Sequence, residues 1–262
     1  MLAPLPPLVA LAFVLAACAA PDGPAPGSAV GSSAGTPGAP GAATPTVTTD
    51  SLVVTDAATG LDIRIGYPVV AGAAAADAVN EQIARTVAEI ALEYEEMEPP
   101  PEGAMWTVAV DGGYELTLLT DGVVSFNQHA WAYAGGAHGN SFFYPQSYAL
   151  DTGRPLALDD VVRATPAGLA ALAEAAREGI VRAYRVRMEG SIEEAREAAW
   201  LDDVTATREA FEGVWSVAPD SLVLHYAPYA VGPYAAGSFR VPVPFSELGG
   251  HLGPVAAALA ER

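Results

Sequence analysis

Lysine is absent from this chain. All twelve basic residues are arginine, set against 31 acidic ones for a net charge of −19. Such a surface repels phosphate backbones, which excludes nucleic acid as a partner, whereas a cationic protein would be steered toward it. Cysteine occurs once, at Cys18, so neither a disulfide framework nor a cysteine-based zinc set can form. Histidine occurs four times, and neither H-E-x-x-H nor G-x-S-x-G is present. No transmembrane helix is expected: the apolar run LVALAFVLAAC, Leu8 to Cys18, has eleven residues, against roughly 20 for a spanning helix.

That run has the length of a signal-peptide h-region, and Leu15, Ala16 and Ala17 precede the cysteine as in a lipoprotein signal. We read residues 1–17 as the signal and Cys18 as the lipidated residue that holds the protein to the bilayer of the cell envelope. The other reading is an ordinary secretory leader with an incidental cysteine; the n-region MLAPLPP carries no Lys or Arg. Residues 18–47 are rich in Pro, Gly, Ala and Ser, with Asp22 their only charge. No apolar period repays the entropy of ordering them, so they read as a disordered tether.

The folded part is expected to start near Thr48. Leu61, Ile63 and Ile65 share one face of a strand and Asp62 and Arg64 the other, after a turn at Ala57 to Gly60. From Ala74 to about Met97 the period becomes helical, through Val79, Ile83, Val87, Ile90 and Tyr94. Residues 104–150 read as four extended runs broken at Asp111-Gly-Gly, Asp121-Gly, Gly135 and Asp151. Thr165 and Pro166 then open a second long helix through Leu169, Leu172, Ala176, Ile180 and Tyr184, and Ser191 with Glu194 forms a capping box. Two short strands, a proline-limited strand and a closing helix follow. The expected class is α+β, an antiparallel sheet covered by two main helices, without βαβ periodicity. Residues 48–121 form a smaller N-terminal part and residues 122–262 the C-terminal domain.

Chemistry is sparsely signalled. His129 and His138 fall on or near adjacent strands, but a zinc site needs three or four ligands, and His225 or His251 would have to complete it. Ser125 and Ser141 lie near histidines without a nucleophile elbow. Glu93, Glu95, Glu96, Glu98 and Glu102 read as a solvated acidic face, and Asp159, Asp160, Asp202 and Asp203 as caps. No metal, cofactor or catalytic set is expected. What recurs is tyrosine three residues before glycine, in YAGG at Tyr133, YAVG at Tyr229 and YAAG at Tyr234. Loops of this kind suit binding, and equally suit closing hairpins.

YAGGAHGN with its following aromatic strand, DTGRPLALDDV, and LVLHYAPYAVGPYAAGSFRVPVPFSEL together resemble the extracellular domain of RsiV-type anti-sigma factors. They are also similar to the non-catalytic C-terminal part of PdaC-type peptidoglycan deacetylases. The resemblance covers residues from about 50 to 255, with 122–160 and 215–248 its specific parts, and the first third looks like the smaller companion domain that precedes this one. It implies Tyr133, Gly135, Gly136, His138 and Gly139 as one signature loop, and Tyr229, Gly232, Tyr234 and Gly237 as the other. It also implies a lysozyme-binding receptor; sigma-factor control and deacetylation are not implied, because no matching segment for either is present. The expectation is a lipid-anchored envelope protein, not an enzyme, that binds peptidoglycan or a lysozyme-like protein. The alternatives are a peptidoglycan-acting hydrolase or deacetylase using His138, or a purely structural lipoprotein. Oligomeric state is not legible.

Overall fold

Strand β1 (Thr46–Asp56) turns at Gly60, φ +65°, into β2 (Leu61–Ala71), and the two pair antiparallel from Thr46↔Ala71 to Asp56↔Leu61. The computed structural model describes residues 44–97, 100–101, 103–104 and 106–262. The signal segment, Cys18 and most of the tether lie outside the described residues, as do Glu98 and Glu102.

Helix α1 (Ala76–Glu95) buries Val79, Ile83, Val87, Ile90 and Tyr94, the stripe its period predicts. Asp77 sits in its first turn, and the N-cap is Ala75, without a side-chain bond. The helix returns the chain to β3 (Val108–Leu119), which runs parallel to β2 from Leu61↔Val108 to Ile65↔Gly112. This corrects the expectation of a purely antiparallel sheet without a βαβ unit. Parallel neighbours need a long crossover, and α1 is that crossover. β4 (Val123–Tyr133) and β5 (Asn140–Ala149) follow antiparallel, in the order β1-β2-β3-β4-β5.

The expected break at Asp111-Gly112-Gly113 does not occur: the triplet lies inside β3, opposite Trp131, Ala130 and His129 of β4. A Cβ on Gly112 would stand 2.8 Å from the His129 carbonyl and 3.3 Å from Ile65. The glycine therefore admits close neighbours on both sides and turns nothing. The Asp121-Gly turn is present, closed by Thr120 N–H to the Val123 carbonyl at 2.9 Å.

The second half is built on α3 (Pro166–Met188). Thr165 accepts from Gly168 N–H at 3.1 Å, and Leu172, Ala176, Ile180 and Tyr184 are buried. A short α2 (Leu158–Val161) precedes it, and α4 (Ile192–Ala198), with its Ser191–Glu194 capping box, and α5 (Leu201–Thr205) follow. A three-stranded antiparallel sheet, β6 (Trp215–Val217), β7 (Ser221–Tyr226) and β8 (Phe239–Pro244), packs on α3, with Val241 against Gly179. Helices α6 (Phe245–Leu248) and α7 (Pro254–Ala260) close the chain. Burying each core side chain of the size of Ile180 or Leu224 contributes about 1.5–3 kcal/mol. The class is α+β, and each main helix covers its own sheet.

Along β4, Val124, Phe126, Ala130 and Ala132 point to α1, so Ser125, Asn127, His129, Trp131 and Tyr133 share the other face. Near Ser125 that face is closed by β6. The Ser125 hydroxyl accepts Val217 N–H at 2.8 Å and lies 2.7 Å from Ser147 Oγ. At Trp131 and Tyr133 the face opens.

Candidate functional site

YAGGAHGN is the β4–β5 connection, for Ala132 pairs with Asn140. Gly135 and Gly136 have φ +91° and +95°, where a side chain would be strained. Tyr133 closes the loop, its hydroxyl donating to the Gly136 carbonyl at 3.0 Å. Gly139 answers a different need. A Cβ there would overlap the Trp131 indole and stand 2.7 Å from the Ala132 carbonyl, so the indole lies on the glycine.

The β7–β8 connection, residues 227–238, meets this loop. The Tyr234 ring stacks on His138 with centroids 3.8 Å apart at 19°, and its hydroxyl donates to the Gly139 carbonyl at 2.8 Å. His138 Nδ1 lies 3.0 Å from the same carbonyl. A carbonyl only accepts, so the proton is on Nδ1. Tyr229 adds a third ring, 5.4 Å from Tyr234 at 40°. Its φ is +72°, an outlier for a bulky residue, yet its side chain is 50% exposed.

Helix α3 braces this second loop. Arg187 donates to the Ala236 and Ser238 carbonyls, each at 3.0 Å, and lies 5.3 Å over the Phe239 ring. Gly232 lets the Tyr184 ring approach, since a Cβ would come 2.8 Å from it, and Gly237 lies under Arg187. All nine loop residues singled out from the sequence therefore belong to two loops in contact. Gly232 and Gly237 serve the bracing; the others shape the rim.

Three contributors escaped the sequence reading as site residues. Trp131 lies parallel to Tyr133, 6.3 Å away at 8°, and Trp106 meets Tyr133 edge-on at 6.1 Å; Arg187 is the third. The rings run Trp106, Tyr133, Trp131, then across Gly139 to His138, Tyr234 and Tyr229. A signal for this rim was available: in a chain of charge −19, no Asp, Glu or Arg occurs between Asp121 and Asp151 or between Asp220 and Arg240.

Of the other histidines, His129 shares the Trp131 face of β4, two residues before it, while His225 and His251 lie on other elements. His129 packs beside Gly113 within the sheet, and the His251 carbonyl accepts Arg163 N–H at 2.8 Å. His225 is buried on β7 with Nε2 2.8 Å from Ser216 Oγ. Burial first, then the Arg240 charge, pushes its pKa down to about 4, so it is neutral at pH 7. Ser216 is fully buried, and this pair braces the joint between the sheets, out of reach of substrate. Among the described residues no group of three or more His, Cys, Asp or Glu is placed to hold a metal. Asp160 accepts from Ala157 N–H at 2.7 Å and from both Arg154 terminal nitrogens at 2.7 and 3.0 Å. Asp159 accepts from Ala164 N–H at 2.8 Å, and Asp202 pairs with Arg177 at 2.6 Å. The Arg154 guanidinium holds the Asp160 carboxyl below its usual pKa; for Asp159 the Ala164 N–H is the leading cause.

Two families match parts of this chain. Residues 55–141 match Deacetylase PdaC, and residues 159–246 match Protein of unknown function (DUF3298). Both matches lie within residues 50–255, the stretch that the resemblance covers, the PdaC match on its first half and the DUF3298 match on its second. A DUF3298 family member from Bacteroides fragilis has a similar crystal structure, 18% identical with a TM-score of 0.57, covering 84% of this chain and 100% of its own. A DUF3298 family protein from Pseudomonas aeruginosa is 14% identical with a TM-score of 0.52, covering 80% and 96%. These likenesses show the fold. No curated protein matches. The rim draws one loop from each matched segment: His138 and Gly139 come from the PdaC segment, Tyr229 and Tyr234 from the DUF3298 segment.

Proposed function

We propose that this chain is a lipid-anchored cell-envelope protein, held by Cys18, whose folded unit is a non-enzymatic binding head with the aromatic rim as its contact surface. Its partner is a component of the cell wall or a lysozyme-like cationic protein. The observation that supports this reading is the convergence of the two loops at Gly139, which leaves Trp131, His138 and Tyr229 exposed; the loops themselves hold no charged residue, and Asp111 lies opposite Trp131 on β3. Large rigid rings at the centre of a contact carry most of the energy in known interfaces. The acidic surface around it would raise the encounter rate with a cationic partner without setting the fit. A hydrolase built on His138 would need a carboxylate or second histidine at its ring, which instead meets the Gly139 carbonyl and Tyr234.

Calorimetric titration of the full chain in detergent with lysozyme, at low and physiological salt, alongside co-sedimentation with isolated cell-wall sacculi, tests the binding. Association with one of these that weakens in Trp131→Ala is expected; no heat and no co-sedimentation would reject the head as a binder. The anchor is tested separately, since Cys18→Ser should move the protein out of the membrane fraction.

A further inference from the structure

We propose that the groove between α3 and β8 binds an acidic peptide segment of a partner protein, its carboxylates held by Arg182, Arg187 and Arg240. The groove stands on residues other than the exposed rings of the rim, so the two readings stand or fall separately.

The walls follow from periodicity. Gly179, Arg182, Ala183, Val186 and Arg187 recur at three and four along α3, so they share one face of the helix. Along β8, Phe239, Val241 and Val243 are buried, which turns Arg240, Pro242 and Pro244 outward. The two rows line a groove of about 670 Å³, within the range of ligand clefts. Val186 is 70% exposed, more than any other large apolar side chain among the described residues. A β-branched residue on an open helix face costs propensity relative to alanine and buries nothing. Contact with a partner accounts for it.

Charge sets the class of ligand. In a chain of net charge −19, three arginines line this one groove. Arg64, Arg85, Arg154, Arg177, Arg196 and Arg208 each hydrogen-bond a carboxylate, at 2.6 to 3.1 Å. The groove arginines do not. Arg240 lies 3.5 Å from Glu115 and Arg182 3.7 Å from Glu247, the two longest ion pairs among the described residues. Arg187 forms no ion pair among the described residues. Its donations to the Ala236 and Ser238 carbonyls use part of its donor set and leave its charge uncancelled. Of the other acids of this helix end, Glu178 is taken by Arg196, and Glu189 lies past the last turn. The groove thus keeps guanidinium capacity that its own acids fill only loosely, and carboxylates match the guanidinium fork.

Spacing favours a peptide over a single small anion. Arg182 and Arg187 are five residues apart, about 7.5 Å along the helix axis, with Ala183 and Val186 on the intervening turn. A lone anion meets one guanidinium and leaves that apolar surface in water. A peptide presents carboxylates at intervals and has side chains to cover it. Pro242 and Pro244 carry no N–H, so β8 does not offer the donors that a further strand needs. Recognition therefore runs through side chains.

The test is fluorescence anisotropy of a labelled peptide of alternating glutamate and leucine, mixed with the full chain in non-ionic detergent at physiological salt. The glutamate peptide should bind, and its glutamine counterpart should not. Arg182→Gln and Arg240→Gln, at side chains about half exposed, should each weaken binding about threefold, and about tenfold together. Their melting temperatures should stay at the native value. Glu115→Gln removes a competing carboxylate and should tighten binding about twofold. Equal binding of the two peptides, or an affinity that the double arginine variant leaves unchanged, would overturn the proposal. So would no response at millimolar peptide. Binding of glycerol phosphate, a lipid-headgroup analogue, without binding of the peptide would overturn it too and assign the groove to phosphate.

Discussion

One face of β4 and β5 is used in two opposite ways. Where β6 and β7 cover it, the buried polar side chains Ser125, Asn127 and Ser147 lie among apolar ones, Val123 and Phe143. Beyond β6 and β7 the side chains are aromatic: Trp131 is 44% exposed, and Tyr133 stands beside it. Burying a hydroxyl contributes less than burying a large ring and needs a partner, so the polar groups of the covered half must be hydrogen-bonded. In the closed half Ser125 holds Val217 N–H and Ser216 lies 2.8 Å from His225, whereas the buried Asn127 Oδ1 has no partner among the described residues. The open half keeps part of the Trp131 indole in water.

Acid should separate the halves most strongly. His225 has its folded pKa lowered to about 4 from 6.5, so the unfolded chain takes up the proton first. The stability from keeping this ring neutral is full above pH 6.5 and is lost as pH falls from 6.5 to 4, about 3 kcal/mol in all. Denaturant melts at pH 7 and pH 4 should show that difference between the native chain and His225→Gln, which does not titrate. Equal pH dependence in the two proteins would remove His225 from the joint.

Ser125→Ala comes next. It strands Val217 N–H between the sheets and should cost about 2 kcal/mol, read as a lower denaturant midpoint with unchanged slope. A midpoint within error of the native value would show that β6 is held by something else.

On the open side, backbone geometry outweighs side-chain contact. Gly136→Val forces a β-branched residue to φ +95° and should cost about 1–3 kcal/mol, although a Cβ at Gly136 meets nothing within 4 Å. A Gly136→Val variant as stable as the native chain would refute the conformational role. Trp131→Ala should be the mildest, within about 0.5 kcal/mol in thermal melts, because the indole is half in water. A large loss there would mean that the ring is structural, and the contrast between the halves would fail.

The β1–β2 pair, the stripe of α1, the Thr165 and Ser191 caps and the buried face of α3 were legible because each is local. Alternation, 3.6-residue periodicity and cap chemistry act within a few residues, and they set the α+β class. The Asp111-Gly-Gly triplet misled because its turn chemistry is local as well, whereas its place between β2 and β4 is decided by strands far away in sequence. The parallel β2–β3 pairing was hidden for the same reason: a crossover shows only when both of its strands are seen to share a sheet.

The site divides along this line. The sequence by itself determined which residues are unusual: the three Tyr-x-x-Gly stretches, His138, and two long windows without charge. Only the tertiary structure decided that these lie together, since the Tyr234 hydroxyl reaches the Gly139 carbonyl from 95 residues away. It also decided what each glycine does: Gly135 and Gly136 take a backbone shape, and Gly139 makes room for Trp131. Periodicity and propensity are short-range, whereas a rim assembled from two hairpin ends depends on how two sheets pack, which the sum of all buried contacts fixes and no single window of sequence records.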